Sequence, residues 1–138
     1  MKMKKRLLTL IFLFIFIISG CSQPKEADII EKIVFKAKVE VISSGPPQIV
    51  PSKTALDFGK LPPDVVEKKE ILIKNNRGFP VVAIPHANGS ISKWITFDRD
   101  RILIRPKSHN VSIVSIRINS DAKIGEYAGY VVYEIYKS

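Results

Sequence analysis

Few side chains in this sequence are suited to chemistry, and the most reactive is Cys21, the only cysteine in the chain. A lone thiol cannot close an internal disulfide, so its use must be sought in modification. Two imidazoles, His86 and His109, fall in stretches expected to be loops. Two histidines without a nearby cysteine fall short of a structural zinc set, and both are read as incidental surface residues. Asp98 and Asp100 alternate with Arg99 and Arg101. A calcium loop needs more oxygen ligands, so this is expected to be a solvated charged turn. No glycine-rich phosphate loop or nucleophile elbow is present. The expectation is therefore a non-enzyme, with no catalytic, cofactor-binding or metal-binding residues.

The surroundings of Cys21 are more informative. Lys2, Lys4, Lys5 and Arg6 precede an apolar stretch, Leu7–Ile18, broken only by Thr9; Ser19 and Gly20 then lead into Cys21. A stretch of twelve residues is too short for a membrane-crossing helix, which needs about 20, but it suits the central region of a secretory signal. The basic residues hold the start of the chain on the cytoplasmic side. Ile18-Ser19-Gly20-Cys21 resembles the lipobox of prokaryotic lipoproteins, departing from the usual pattern only in the Ile at its first position. The resemblance implies that the Cys21 thiol receives a diacylglycerol and that cleavage falls between Gly20 and Cys21. A plain signal peptide with an incidental cysteine and an uncleaved anchor are the alternatives. Ser22 would permit outer-membrane sorting in a two-membrane bacterium.

Of the 22 basic residues, four lie in the leader, which has no acid; the remaining 18 stand against 13 acids, a net of +5 in place of +9. Mild basicity of this size is ordinary solubility charge, with weak attraction to acidic headgroups as the other reading. Nucleic-acid binding would need a dense basic face with interleaved rings, so no nucleic-acid partner is expected.

The elements that would carry these residues are short strands. Residues 22–32 read as a polar spacer, and the whole of 21–47 as a tether with one extra strand. In that strand Phe35, Ala37, Val39 and Val41 share a face opposite Lys36, Lys38 and Glu40. Pairing within the domain or elsewhere both remain open for it. From residue 48 onward, apolar stretches rich in Ile and Val alternate with Pro, Gly, Asn and Asp. Strands are expected at Ala55–Phe58, Glu67–Asn75, Pro80–Ile84, Trp94–Phe97, Ile102–Arg105, Val111–Ile118 and Tyr127–Tyr136. Asn88-Gly89-Ser90 is expected to be a loop. Within Val111–Ile118 the apolar residues change sides, which suggests a bulge or a change of face. Tyr127, Gly129, Val131, Tyr133 and Ile135 fall on one face of the last strand, with Tyr130 and Tyr136 on the other. Trp94 is expected in the core. The tyrosines read as packing residues, or alternatively as a partner or glycan surface. Asn88-Gly-Ser and Asn110-Val-Ser match the glycosylation acceptor triplet, which arises easily by chance.

About seven short strands between turns give an all-β sandwich over residues 48–138. Pro51-Ser-Lys-Thr-Ala-Leu-Asp-Phe-Gly-Lys-Leu, followed by Glu70-Ile-Leu-Ile-Lys-Asn-Asn-Arg-Gly-Phe-Pro-Val, resembles the immunoglobulin-like domains of the abnormal-spindle/hydin, major sperm protein and pilus-chaperone superfamily. Trp94–Phe97, Pro106, Val111–Ile118 and Gly125–Tyr130 are similar to the rest of that plan. The resemblance implies binding through strand edges and loops, and names no partner. The expectation is thus a lipid-anchored extracytoplasmic protein, held to a membrane through Cys21. Its role would be non-catalytic, presenting its final strand as an edge to a protein partner. The alternative is an accessory lipoprotein that binds a glycan or solute.

Overall fold

The computed structural model describes residues 28–49 and 55–138. The leader, Gly20, Cys21 and the tether through Ala27 lie outside the described residues. So do residues 50–54, which include the Pro51 that opens the family resemblance.

The described chain is all-β apart from one short 3-10 turn, Ser92–Trp94. Its strands are β1 (Ile29–Val41), β2 (Leu56–Leu61), β3 (Val66–Asn75), β4 (Val81–Gly89), β5 (Ile95–Phe97), β6 (Ile102–Ile104), β7 (Ser108–Arg117) and β8 (Gly125–Lys137). They form a five-stranded sheet ordered β2-β1-β8-β4-β6 and a three-stranded sheet ordered β3-β7-β5. All neighbours are antiparallel except β1 and β2.

One core lies between the sheets, because alternate residues of each strand point to it. The large sheet contributes Val39, Val41, Phe58, Leu61, Ile102, Ile104, Val131 and Tyr133; the small sheet contributes Ile71, Ile73, Val114 and Ile116. Burial of each such side chain stabilises by about 1.5–3 kcal/mol. Phe35 and Phe97 meet the Tyr133 ring edge-on, at 6.2 and 6.3 Å. The Tyr133 hydroxyl donates to Ser112 Oγ at 2.9 Å, so these two buried polar groups satisfy each other.

Several expectations need correction. β1 begins at Ile29, so residues 29–32 are strand and not spacer; they read as polar because both of their faces stay exposed. β1 is an interior strand of the large sheet, which settles where it pairs. The seven strands expected after residue 48 are β2 to β8, and β1 joins them as an eighth among the described residues. β7 runs against β3 without any shift of register, so the bulge expected there is absent. Its inward face is Ser112, Val114 and Ile116, and the serine disguised the alternation. Asn88 and Gly89 belong to β4, and Trp94 to the 3-10 turn. Most consequentially, β8 lies in the middle of the large sheet, flanked by β1 and β4; it is not an edge.

Candidate functional site: strand edges and a charged groove

The edge at β2 is closed by a bulge and a short crossing segment. Lys38 pairs with Asp57 and Glu40 with Lys60, so β2 sets Phe58 and Gly59 against Val39 alone. Gly59 adopts φ +71° and donates its N–H to Asp57 Oδ1 at 2.9 Å. Gln48 then crosses β2, exchanging two 2.9 Å backbone bonds with Lys60. A Cβ on Gly59 would stand 1.8 Å from the Gln48 carbonyl oxygen, so the bulge and its cover both require glycine.

Beside the bulge lies an open groove of about 360 Å³ among Lys38, Glu40, Asp57, Lys60, Glu126 and Tyr127. Its charges are mostly paired: Lys38 Nζ lies 3.0 Å from Asp57, and Lys60 Nζ lies 3.2 Å from Glu40. Burial pushes the Asp57 carboxyl up, but the Gly59 N–H and the Lys38 ammonium outweigh it and hold it below its ordinary value. The hydrogen bond to Asp57 raises Lys38 in turn. Such a groove offers polar contacts to a small ligand. Among the described residues no three His, Cys, Asp or Glu side chains are placed to hold a metal ion.

The remaining edges differ in length and character. β5 and β6 are three residues each. β3 is ten residues long and pairs only with β7 among the described residues. Its inward side carries Glu67 and Lys69, and Lys69 Nζ lies 6.0 Å above the Phe58 ring of β2. β1 is covered by β2 only from Ala37 to Val41, so Ile29–Lys36 has β8 on one flank and no neighbour on the other among the described residues. The inward residues there are Glu31, Ile33 and Phe35; Ile33 and Phe35 are half-buried, and Glu31 reaches Arg77 at 2.9 Å.

The residues singled out in the sequence disperse over this frame. Neither histidine is in a loop: His86 lies on β4 opposite Val132, and His109 on β7 opposite Lys74. Both are exposed strand residues, because β4 and β7 run longer than their apolar cores. Asp98 is a brace more than a free turn residue. It accepts from the Ile113 N–H at 2.8 Å and from Arg99 Nε at 3.1 Å, and Arg99 also donates to the Val111 carbonyl. Those donors outweigh burial and keep the Asp98 carboxyl below its usual value. Asn110 is engaged too, its amide donating to the Leu103 carbonyl at 3.0 Å. Trp94 is buried against Tyr127, with ring centroids 4.5 Å apart, under the Lys93 ammonium. The tyrosines do not form a row: Tyr133 is core and Tyr127 half-buried, while Tyr130 is exposed and Tyr136 half-buried, bonding Glu134.

Asn75 was visible only as a polar residue in phase with Ile71 and Ile73. It is fully buried, and its amide donates to the carbonyls of Phe79, Ile104 and Arg105 at 2.9, 3.2 and 3.0 Å. Its Oδ1 accepts the Arg77 N–H at 3.0 Å. One side chain thus ties the β3–β4 turn to the β6–β7 turn. Searches against protein families, curated proteins and solved structures return no match to this chain.

Proposed function

We propose that this chain is a lipid-anchored, extracytoplasmic interaction module without catalytic activity. An immunoglobulin-like sandwich, held to a membrane through Cys21, presents the first half of β1 to an extended segment of a protein partner. The observation that carries this is the flank of Ile29–Lys36, eight residues long, left open among the described residues and backed by the apolar side chains of Ile33 and Phe35. Strand addition there supplies main-chain hydrogen bonds for affinity, with alternate side chains for specificity. Attachment is stable because two acyl chains, at about 0.8 kcal/mol per buried CH₂, hold where one does not.

Intact-mass spectrometry of protein from native membranes tests the anchor. The expected mass is residues 21–138 plus a diacylglycerol group, lost in Cys21→Ala. A photo-crosslinking residue at position 36 tests the edge, and is expected to capture a defined partner that the same residue at position 68 of β3 does not. Equal capture from both positions would sink the β1 assignment. The groove beside Gly59 supports the second reading, a small polar ligand, since it joins paired charges to the Tyr127 ring. Chemical-shift changes confined to Lys38, Asp57 and Tyr127 on adding oligosaccharides would favour it.

A further inference from the structure

The two ends of the sandwich carry different charge. At one end lie the start of β1, the β3–β4 turn, the β6–β7 turn and the close of β8: Ile29 pairs with Tyr136, Val81 with Lys137 and Ile104, and Asn75 with Ser108. Lys74, Arg77, Arg105, Lys107 and Lys137 gather there. Backbone and side-chain bonds fix several of them: the Lys107 N–H donates to the Arg77 carbonyl, Lys107 Nζ to that of Asn76, and Lys137 Nζ sits 5.0 Å from the Phe79 ring. The acids among them are Glu31, already paired with Arg77, and Asp28, which precedes Ile29. Even with a free carboxylate at Ser138, five cations against three anions leave a surplus of two. The opposite end is balanced, with Lys93, Arg117 and Lys123 beside Asp64, Asp121 and Glu126.

We infer that the basic end is a docking surface for anionic lipid headgroups. This rests on the lipoprotein reading of Cys21, and chain length supplies the geometry. Seven Cα–Cα steps lead from Cys21 to Asp28, a reach of roughly 25 Å at full extension. The described chain enters β1 at the basic end, so the tether holds that end, and not the balanced one, toward the bilayer. Surface potential from acidic lipids acts within a Debye length, about 8–10 Å at physiological salt, so cations held this close feel it and those at the far end do not. The domain then stands on the membrane with the open flank of β1 beside the headgroups.

Lysine footprinting on the full lipidated protein tests this, in vesicles of phosphatidylcholine alone and with one-third phosphatidylglycerol. Acylation of Lys74, Lys107 and Lys137 is expected to slow by about threefold on the anionic vesicles, while Lys68 and Lys123 label alike on both. The protection should vanish in 0.5 M salt without release of the protein. A Lys74→Glu/Arg105→Glu variant should lose it at Lys107 and Lys137, whereas Lys68→Glu/Lys123→Glu should keep it. Flotation reads the anchor separately. Protein that floats with both vesicles yet labels equally at both ends overturns the docking surface and leaves the anchor standing. Flotation with anionic vesicles alone overturns the anchor while supporting the surface, and flotation with neither overturns both.

Discussion

β3 and the first half of β1 run along the same side of the molecule, and each lacks a neighbour on one flank among the described residues. β3 is the longer free edge, yet Glu67 and Lys69 point inward from it. The Lys69 ammonium lies 6.0 Å from the Phe58 ring, and a second strand laid along β3 would bury it further. On β1 the inward residues Ile33 and Phe35 are apolar and only half-covered, so an added strand would bury more of them. A free edge is therefore not the same as an available one. What separates the two is the side chain that a newcomer would trap.

The contrast can be broken most severely at Asn75, which holds the end of β3 and the turn whose Arg77 pins Glu31 of β1. Asn75→Ala removes four hydrogen bonds and strands three carbonyls, and is expected to lower unfolding free energy by about 4 kcal/mol in urea titrations. Gly59→Ala attacks the cover over β2. With a strained φ and a backbone clash it should cost about 3 kcal/mol, against about 1 kcal/mol for Gly45→Ala, which has a positive φ but open space. If both glycines cost the same, the crossing of Gln48 is not what closes that edge.

Tyr133→Phe, beneath both edges, should cost about 1.5 kcal/mol by orphaning the Ser112 hydroxyl. The same tyrosine gives the fold an alkaline limit. Burial pushes its hydroxyl up to about 12, above the ordinary 10 of an unfolded chain. The folded state therefore keeps a proton that the unfolded state releases, so stability is full below pH 10 and falls as pH rises from 10 toward 12. Melting temperatures across that window should slope less in Tyr133→Phe. The smallest thermodynamic effect sharpens the comparison most. Lys69→Val should change monomer stability by only about 0.5 kcal/mol, yet produce concentration-dependent oligomers by light scattering. A Lys69→Val protein that stays monomeric would show that the lysine does not guard β3.

Much of the strand pattern was legible from period and punctuation. Tyr127, Gly129, Val131, Tyr133 and Ile135 alternate without interruption and do line the inner face of β8, and the turns at Pro62–Asp64 and Asn76–Gly78 stand where proline, asparagine and glycine put them. Placement between strands was not legible, because a period of two says which face a residue takes and nothing about its neighbour. Hence β8 was expected at an edge and lies at the centre. Ser112 hid the inward face of β7 because its hydroxyl is satisfied by a tyrosine twenty-one positions away. Asn75 does end β3 as expected, but its burial was hidden for the same reason, its amide being satisfied by carbonyls of distant turns. The open flank of β1 depends on where β2 begins alongside it, a relation that neither segment encodes alone.

The central position of β8 also bears on when the protein can fold. β1 and β8 make the longest ladder in the molecule, from Ile29 against Tyr136 to Val41 against Gly125. The first strand must therefore wait for the eighth, and until β8 emerges the large sheet is split, with β1 and β2 on one side and β4 and β6 on the other. Contacts this distant along the chain make folding slow relative to local structure. The segment that completes the large sheet is thus the last of the described strands to be synthesised.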